Sequence, residues 1–179
     1  MATLAEPGST GVSAMSHRHE GRRSFLALLT VVLATAITLG PVARADAQTT
    51  MRVGVVIDLG NGTVRNIPVT MSGTEATGAQ VLQAAGLNPT LRGFGGIGQA
   101  VCALVLDGVT LGCPADNSCL TCAAPAAWSY SRAANGASSF TYSSVGAGAT
   151  KVHDGDVEGW RWTSSTSPPP FTPFSTFFP

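Results

Sequence analysis

The sequence predicts an α+β fold: a mostly antiparallel sheet with one short helix, stapled by disulfides. Three observations carry this. Two turn signals, Gly60-Asn61-Gly62 and Asp107-Gly108, each stand between runs of β-branched and aliphatic residues, which is the pattern of a hairpin. One stretch, Ser72 to Gly86, has helical spacing of its apolar residues. Four cysteines, Cys102, Cys113, Cys119 and Cys122, crowd into one short segment.

Composition narrows the class. Only 11% of residues are charged, and Gly, Ala, Ser and Thr dominate. From residue 46 onward six cations face eight anions, a net charge near −2 with no basic cluster. That argues against nucleic acid or an anionic membrane surface as the main partner.

The first 45 residues read as an export signal. Arg22-Arg23-Ser24-Phe25-Leu26 leads into an apolar run from Phe25 to Leu39, and Ala43-Arg44-Ala45 supplies an A-x-A cleavage site. A run of that length is short of the ~20 residues a membrane span needs, and the order of charge, apolar run and small residues is that of a signal peptide. The Arg-Arg-x-Phe-Leu spelling also fits a twin-arginine signal, although Ala27 stands where a basic residue is usual. The expectation is a domain over residues 46–163, secreted or held at the cell envelope, with no membrane span after cleavage.

Within that domain the elements follow in order. Met51 to Asp58 is a β-branched strand, and Thr63 to Met71 returns from the Gly60-Asn61-Gly62 turn. Pro68 in the return strand implies an edge or a bulge, because it has no N–H for a ladder. In Ser72–Gly86, Thr74 or Thr77 can cap the N-terminus, Glu75 favours the dipole, and Gly86 is a natural stop. Asn88 to Gln99 reads as a glycine-rich loop. It lacks the strand-loop-helix context of a phosphate cradle, since a helix precedes and a strand follows. Ala100–Leu106 and Val109–Cys113 form the second hairpin around Asp107-Gly108. Counting outward pairs Leu106 with Val109, Val105 with Thr110, Leu104 with Leu111, Ala103 with Gly112, and Cys102 with Cys113.

That register favours a Cys102–Cys113 bridge, leaving Cys119–Cys122. Cys102 and Cys113 would occupy a hydrogen-bonded position, so Cys102–Cys122 with Cys113–Cys119 is the alternative. A thioredoxin-like role for Cys119-Leu120-Thr121-Cys122 lacks the helix that would activate a thiol. A zinc ribbon would need a second Cys-x-x-Cys. Structural bridging in an oxidising compartment is the expectation, with no metal and no resident cofactor.

The aromatic residues lie later. Trp128-Ser129-Tyr130, Phe140-Thr141-Tyr142 and Glu158-Gly159-Trp160-Arg161-Trp162 place their rings at period two, on one face of each strand. The period defines the faces but not whether they point to a core or outward as a stacking platform. Trp128, Tyr130, Trp160 and Trp162 are the candidate ligand-binding residues.

Chemistry has fewer candidates. His153 is the only histidine after residue 45, followed by Asp154, Asp156 and Glu158. Together they could form a metal cluster or part of a triad, and Asp58 could pair with one of these carboxylates for glycoside hydrolysis. No Gly-x-Ser-x-Gly elbow occurs. The expectation is a solvated turn before the last strand, and a protein that is not an enzyme; a small extracellular enzyme using His153 with Asp154 and Asp156 is the alternative.

The order Cys102, Asp107-Gly108, Cys113, Trp128-Ser129-Tyr130, Phe140 to Ser144, Gly146-Ala147 and Asp154 to Trp162 resembles a group of secreted actinobacterial proteins, and through them the transcobalamin-like C-terminal domain family (DUF4430). The resemblance covers roughly residues 51–163. It implies a β-grasp-like domain and an extracellular ligand-binding or adhesion module without catalytic machinery. It further implies an accessory role in vitamin, corrinoid or metal uptake, with a small molecule or a cell-envelope protein as partner, or else a structural cell-envelope module. Corrinoid is the ligand it suggests, although no histidine stands as an evident cobalt ligand. Residues 164–179 form a tail with Pro168-Pro169-Pro170, then Phe171, Phe174, Phe177 and Phe178. It reads as an extended, sticky segment that either docks or stays disordered.

Overall fold

The structure is a computed structural model that describes residues 49–179. The expected export signal, residues 1–45, lies outside the described residues. The described residues fall within one compact unit. Its strands are β1 (Thr50–Asp58), β2 (Val64–Ser72), β3 (Thr90–Phe94), β4 (Gly98–Leu106), β5 (Val109–Gly112), β6 (Ala127–Ala133), β7 (Thr141–Tyr142) and β8 (Val157–Thr163), with one α-helix, α1 (Gly78–Ala84).

Two sheets form. One has the order β2-β1-β8-β6-β7, the other β3-β4-β5. All pairings are antiparallel except β1 with β8, which run parallel. The mostly antiparallel α+β class therefore holds, although the strands divide between two sheets.

β1 and β2 pair from Thr50↔Ser72 to Asp58↔Val64. Pro68 sits opposite Gly54, whose N–H donates to Asp156 O at 3.0 Å on the other side. Gly54 thus makes no ladder bond to β2 there, and the missing N–H of Pro68 faces away from β1 on an edge strand. This is where a sheet tolerates proline.

The helix is shorter than its spacing predicts. Thr77 is the N-cap and forms a capping box with Gln80, Thr77 Oγ1 accepting from Gln80 N and Gln80 Oε1 accepting from Thr77 N. Ser72 still belongs to β2, and Ala76 makes an isolated bridge with Val152. Glu75 is therefore outside the helix. Gly86 ends it at φ +75°; its N–H donates to Gln83 O and that of Leu87 to Leu82 O, a Schellman closure.

Asn88–Gln99 is not a loop throughout. β3 pairs with β4 across a turn at Gly95-Gly96-Ile97. Arg92 and the glycines hide the strand pattern, and pairing with the apolar β4 supplies the order that local propensity does not.

The β4–β5 register agrees with the outward count from Leu106↔Val109 to Ala103↔Gly112. The bridges differ: Cys102 joins Cys119, and Cys113 joins Cys122. Both pairings read from the sequence are corrected. Cys113 N–H donates to Cys102 O at 2.8 Å, so these two are hydrogen-bonded neighbours rather than a bridged pair. Residues 117–125 coil in successive turns, with Cys122 N–H donating to Ser118 O. In such turns residues three apart share a face, so Cys119 and Cys122 present two sulfurs to the two at the hairpin end. Replacing Cys102 and Cys119 together by Ala is expected to cost about 3 kcal/mol, from freeing a loop of that size in the unfolded chain. Urea unfolding measures it, and a Cys102–Cys113 peptide in non-reducing digests would overturn the pairing.

The main core lies on the inner face of the five-stranded sheet. Met51, Val53, Val55 and Ile57 of β1 meet Val81 and Leu82 of the helix and Leu104 of β4. A second apolar cluster covers the opposite face, where Val56, Ala133 and Val157 meet Phe177 of the tail, with Phe140, Phe171, Phe174 and Phe178 around them. The tail is therefore docked on its own domain.

Candidate functional site

The aromatic face points inward. β6 and β8 pair Trp128 with Trp162 and Tyr130 with Trp160. The Tyr130 and Trp160 rings stack at 4.1 Å and 7°, and Trp162 meets Trp128 edge-on at 5.5 Å. Trp128, Tyr130 and Trp160 are 7%, 6% and 1% exposed and belong to the main core, while Trp162 is half-buried. As an open stacking platform the four rings do not fit this arrangement. The physical reason is area: rings this large, opposite a helix and a second sheet, gain most by leaving water.

They do line something. Trp128, Tyr130 and Trp160 floor a cleft of about 130 Å³ whose walls include Ala100, Val101 and Val145 to Ala147. Ile97, Leu120 and Tyr142 stand at its margin, and these are three of the five large hydrophobic residues exposed among the described residues. Ile97 comes from the β3–β4 turn and Leu120 from the disulfide-held loop. Trp128 Nε1 donates to Leu111 O at 3.1 Å, whereas the buried Nε1 of Trp160 has no partner. Buried donors are nearly always satisfied, and this one is an exception.

Behind Tyr130 lies a buried polar cluster. Tyr130 Oη donates to Glu158 Oε2 and lies 3.1 Å from Thr150 Oγ1. Thr150 accepts from Gly78 N–H at 3.0 Å and donates to Ala147 O at 3.1 Å. Arg132 Nε donates to Glu158 Oε1 at 3.2 Å, its Nη2 donates to Lys151 O, and Asp156 stands 3.7 Å away. Glu158 is fully buried. Burial pushes its carboxyl up to about 7, against the pull of Tyr130 and Arg132. Burial, and then the Glu158 charge, holds the Tyr130 phenol well above its ordinary range. The first helical residue must be glycine: a Cβ on Gly78 would lie 2.5 Å from Tyr130 Oη and 2.9 Å from Glu158 Oε2.

The turn carboxylates divide. His153 and Asp154 are exposed, but Asp156 is buried, which corrects the reading of a solvated turn at that residue; Glu158, on β8, is buried as well. Asp154 accepts from Arg52 N–H at 2.7 Å. Asp156 accepts from the backbone N–H of Asn135 and His153, both at 3.0 Å. His153 faces Glu75 at 3.3 Å, and its Nδ1 is 3.9 Å from Asp156. Asp58 pairs with Arg161 at 3.1 Å. Among the described residues no group of three or more His, Cys, Asp or Glu is placed to hold a metal. No helix there is long and apolar enough to cross a membrane.

Another cavity, of about 410 Å³, lies between β2, the end of the helix and the β4–β5 turn. It contains none of the sequence-predicted site residues, and the exposed Arg65–Asp107 ion pair joins two of its lining residues. The aromatic-floored cleft is the better site because buried rings and three exposed apolar residues meet there.

Sequence reasoning missed Ile97, Leu120, Arg132 and Thr150. The first two are isolated apolar residues in turns, and only the fold brings them to one rim. For Arg132, period two from Trp128 and Tyr130 was an available signal. No protein-family model and no curated protein matches the chain.

Proposed function

We propose that this protein is a secreted, non-catalytic binding domain whose cleft takes a small apolar group, from a ligand or a partner side chain. The observation that carries it is the convergence of Ile97, Leu120 and Tyr142 on a floor of Trp128, Tyr130 and Trp160. Exposed apolar residues that cluster mark interaction sites more often than scattered ones do. Two disulfides support an oxidising compartment. The non-catalytic reading is supported by Asp154, Asp156 and Asp58, which are engaged in turn hydrogen bonds and ion pairs.

A β-grasp-like fold of the transcobalamin-like type is part of the same proposal. It is supported by the element order hairpin, helix, later strands, and by β8 lying between β1 and β6, parallel to β1. The cleft is smaller than the roughly 300–1,000 Å³ of usual ligand pockets. It therefore suits a small apolar group better than a corrinoid macrocycle.

The test is fluorescence titration with N-phenyl-1-naphthylamine. Saturable binding is expected, and Ile97→Ser or Leu120→Ser should weaken it about tenfold, the effect of losing one apolar contact surface, with an unchanged melting temperature. Binding that is absent, or indifferent to both substitutions, would remove the cleft as the site.

A further inference from the structure

The tail lies on the sheet face opposite the cleft, and the sheet has a fitted seat for it. Gly54 of β1 and Gly159 of β8 are neighbours in the parallel register, where Gly54 pairs with Val157 and Val56 with Gly159. A Cβ on Gly54 would lie 2.6 Å from the Phe177 ring. One on Gly159 would lie 2.8 Å from Phe140 and 2.9 Å from Pro169. Absent side chains on two adjacent strands thus form a groove, and Pro169 and Phe177, both buried, fill it.

Further contacts fix the tail's orientation. Arg161 Nη1 donates to Pro168 O at 3.2 Å. The Arg52 guanidinium lies 5.7 Å and 5.5 Å from the Phe174 and Phe178 ring centres, within cation–π range. Phe171 meets Phe140 edge-on at 5.4 Å.

The connection is different in kind. Ser164 to Ser167 is exposed, and the side chains of Thr163, Ser165 and Ser167 bond only to one another and to local backbone. Lifting the tail therefore costs only the groove contacts, and a second tail of the same sequence restores every one of them. The six residues Thr163–Pro168 reach about 20 Å when extended, enough to pass from one copy to another. Exchange of an identical element between copies is a low-cost route to a dimer.

We propose that this groove is an interaction surface for the Pro168–Phe178 segment of a second copy of this chain, so that two copies join by reciprocal tail exchange. The groove recognises a proline-led segment that closes in a short 3-10 turn over Phe174–Thr176, with phenylalanines placed to meet Gly54 and Arg52.

The experiment uses the whole protein and a fluorescent peptide of residues 166–179. Phe177→Ala protein, its own tail weakened, should bind the peptide saturably and at least tenfold more tightly than native protein. A peptide with Phe171 and Phe177 replaced by Ala should not bind. Gly54→Val, which fills the seat, should abolish binding. Native protein refolded at about 1 mM should show a dimer by sedimentation, and Gly54→Val should show none. Failure of folded Phe177→Ala to bind, or binding retained by Gly54→Val, would overturn the proposal. If Phe177→Ala does not fold, Phe174→Ala replaces it and is read the same way. Peptide binding without any dimer would overturn the second copy as occupant and assign the groove to a similar segment of another protein. The cleft probe reports on the other face, so the two ideas fail separately.

Discussion

Replacing Trp160 by Ala is expected to destabilise the protein by about 3–5 kcal/mol, the usual cost of deleting a fully buried large aromatic side chain. Trp160 is 1% exposed and stacks on Tyr130 at 4.1 Å. Its loss removes that stack and leaves a cavity beside β1 and the helix, whose backbones are held by ladder and capping bonds and cannot close on it. Trp162→Ala is the internal comparison: the ring is half-buried and meets Trp128 only edge-on, so about 1–2 kcal/mol is expected from its smaller buried area. Urea unfolding followed by circular dichroism measures both. A Trp160→Ala protein within 1 kcal/mol of native would mean that the ring is not part of the core.

The second large effect is a pH dependence centred on Glu158. Its carboxyl is raised from 4.5 to about 7, first by burial. A raised acid binds its proton more tightly folded than unfolded. Its protonated form therefore stabilises the fold fully below pH 4.5, and that stabilisation falls away as pH rises towards 7. The span corresponds to a loss on the order of 3 kcal/mol. The groups facing Glu158 are Tyr130, Arg132 and Asp156, with Thr150 beyond Tyr130. When Glu158 is ionised, Tyr130 donates to it. When it is protonated, its own O–H can donate to the phenol oxygen, and the phenol can turn to Thr150 at 3.1 Å. Glu158→Gln removes the titration, so its unfolding free energy should be nearly level from pH 4.5 to 7 relative to native protein. Parallel profiles for the two proteins would rule Glu158 out as the source.

Much of the strand pattern was readable in advance. The turns at Gly60-Asn61-Gly62 and Asp107-Gly108, the β4–β5 register and the shared face of Glu158, Trp160 and Trp162 all follow from contacts a few residues apart. β3 escaped because Gly93 and Arg92 dilute its alternation, and its order comes from β4. The helix start moved to Thr77 because Ala76 is held by Val152, a partner far along the chain.

The sequence by itself determined the α+β class, an edge or bulge position for Pro68, the helix stop at Gly86 and the shared ring faces of β6 and β8, but not that of Phe140 and Tyr142, since Phe140 packs on the tail side and Tyr142 lines the cleft. Each rests on local geometry: a missing N–H, a left-handed turn, or the two-residue period. The tertiary structure alone decided which way the aromatic face points, which cysteines join, that Glu158 is buried and that the tail docks. Those depend on what arrives from elsewhere in the chain. β8 runs parallel to β1 although about a hundred residues separate them, a turn brings two sulfurs to a hairpin end, and two glycines on different strands leave room for Phe177 and Pro169. A period of two fixes faces, but only packing against a second layer assigns one of them to the core.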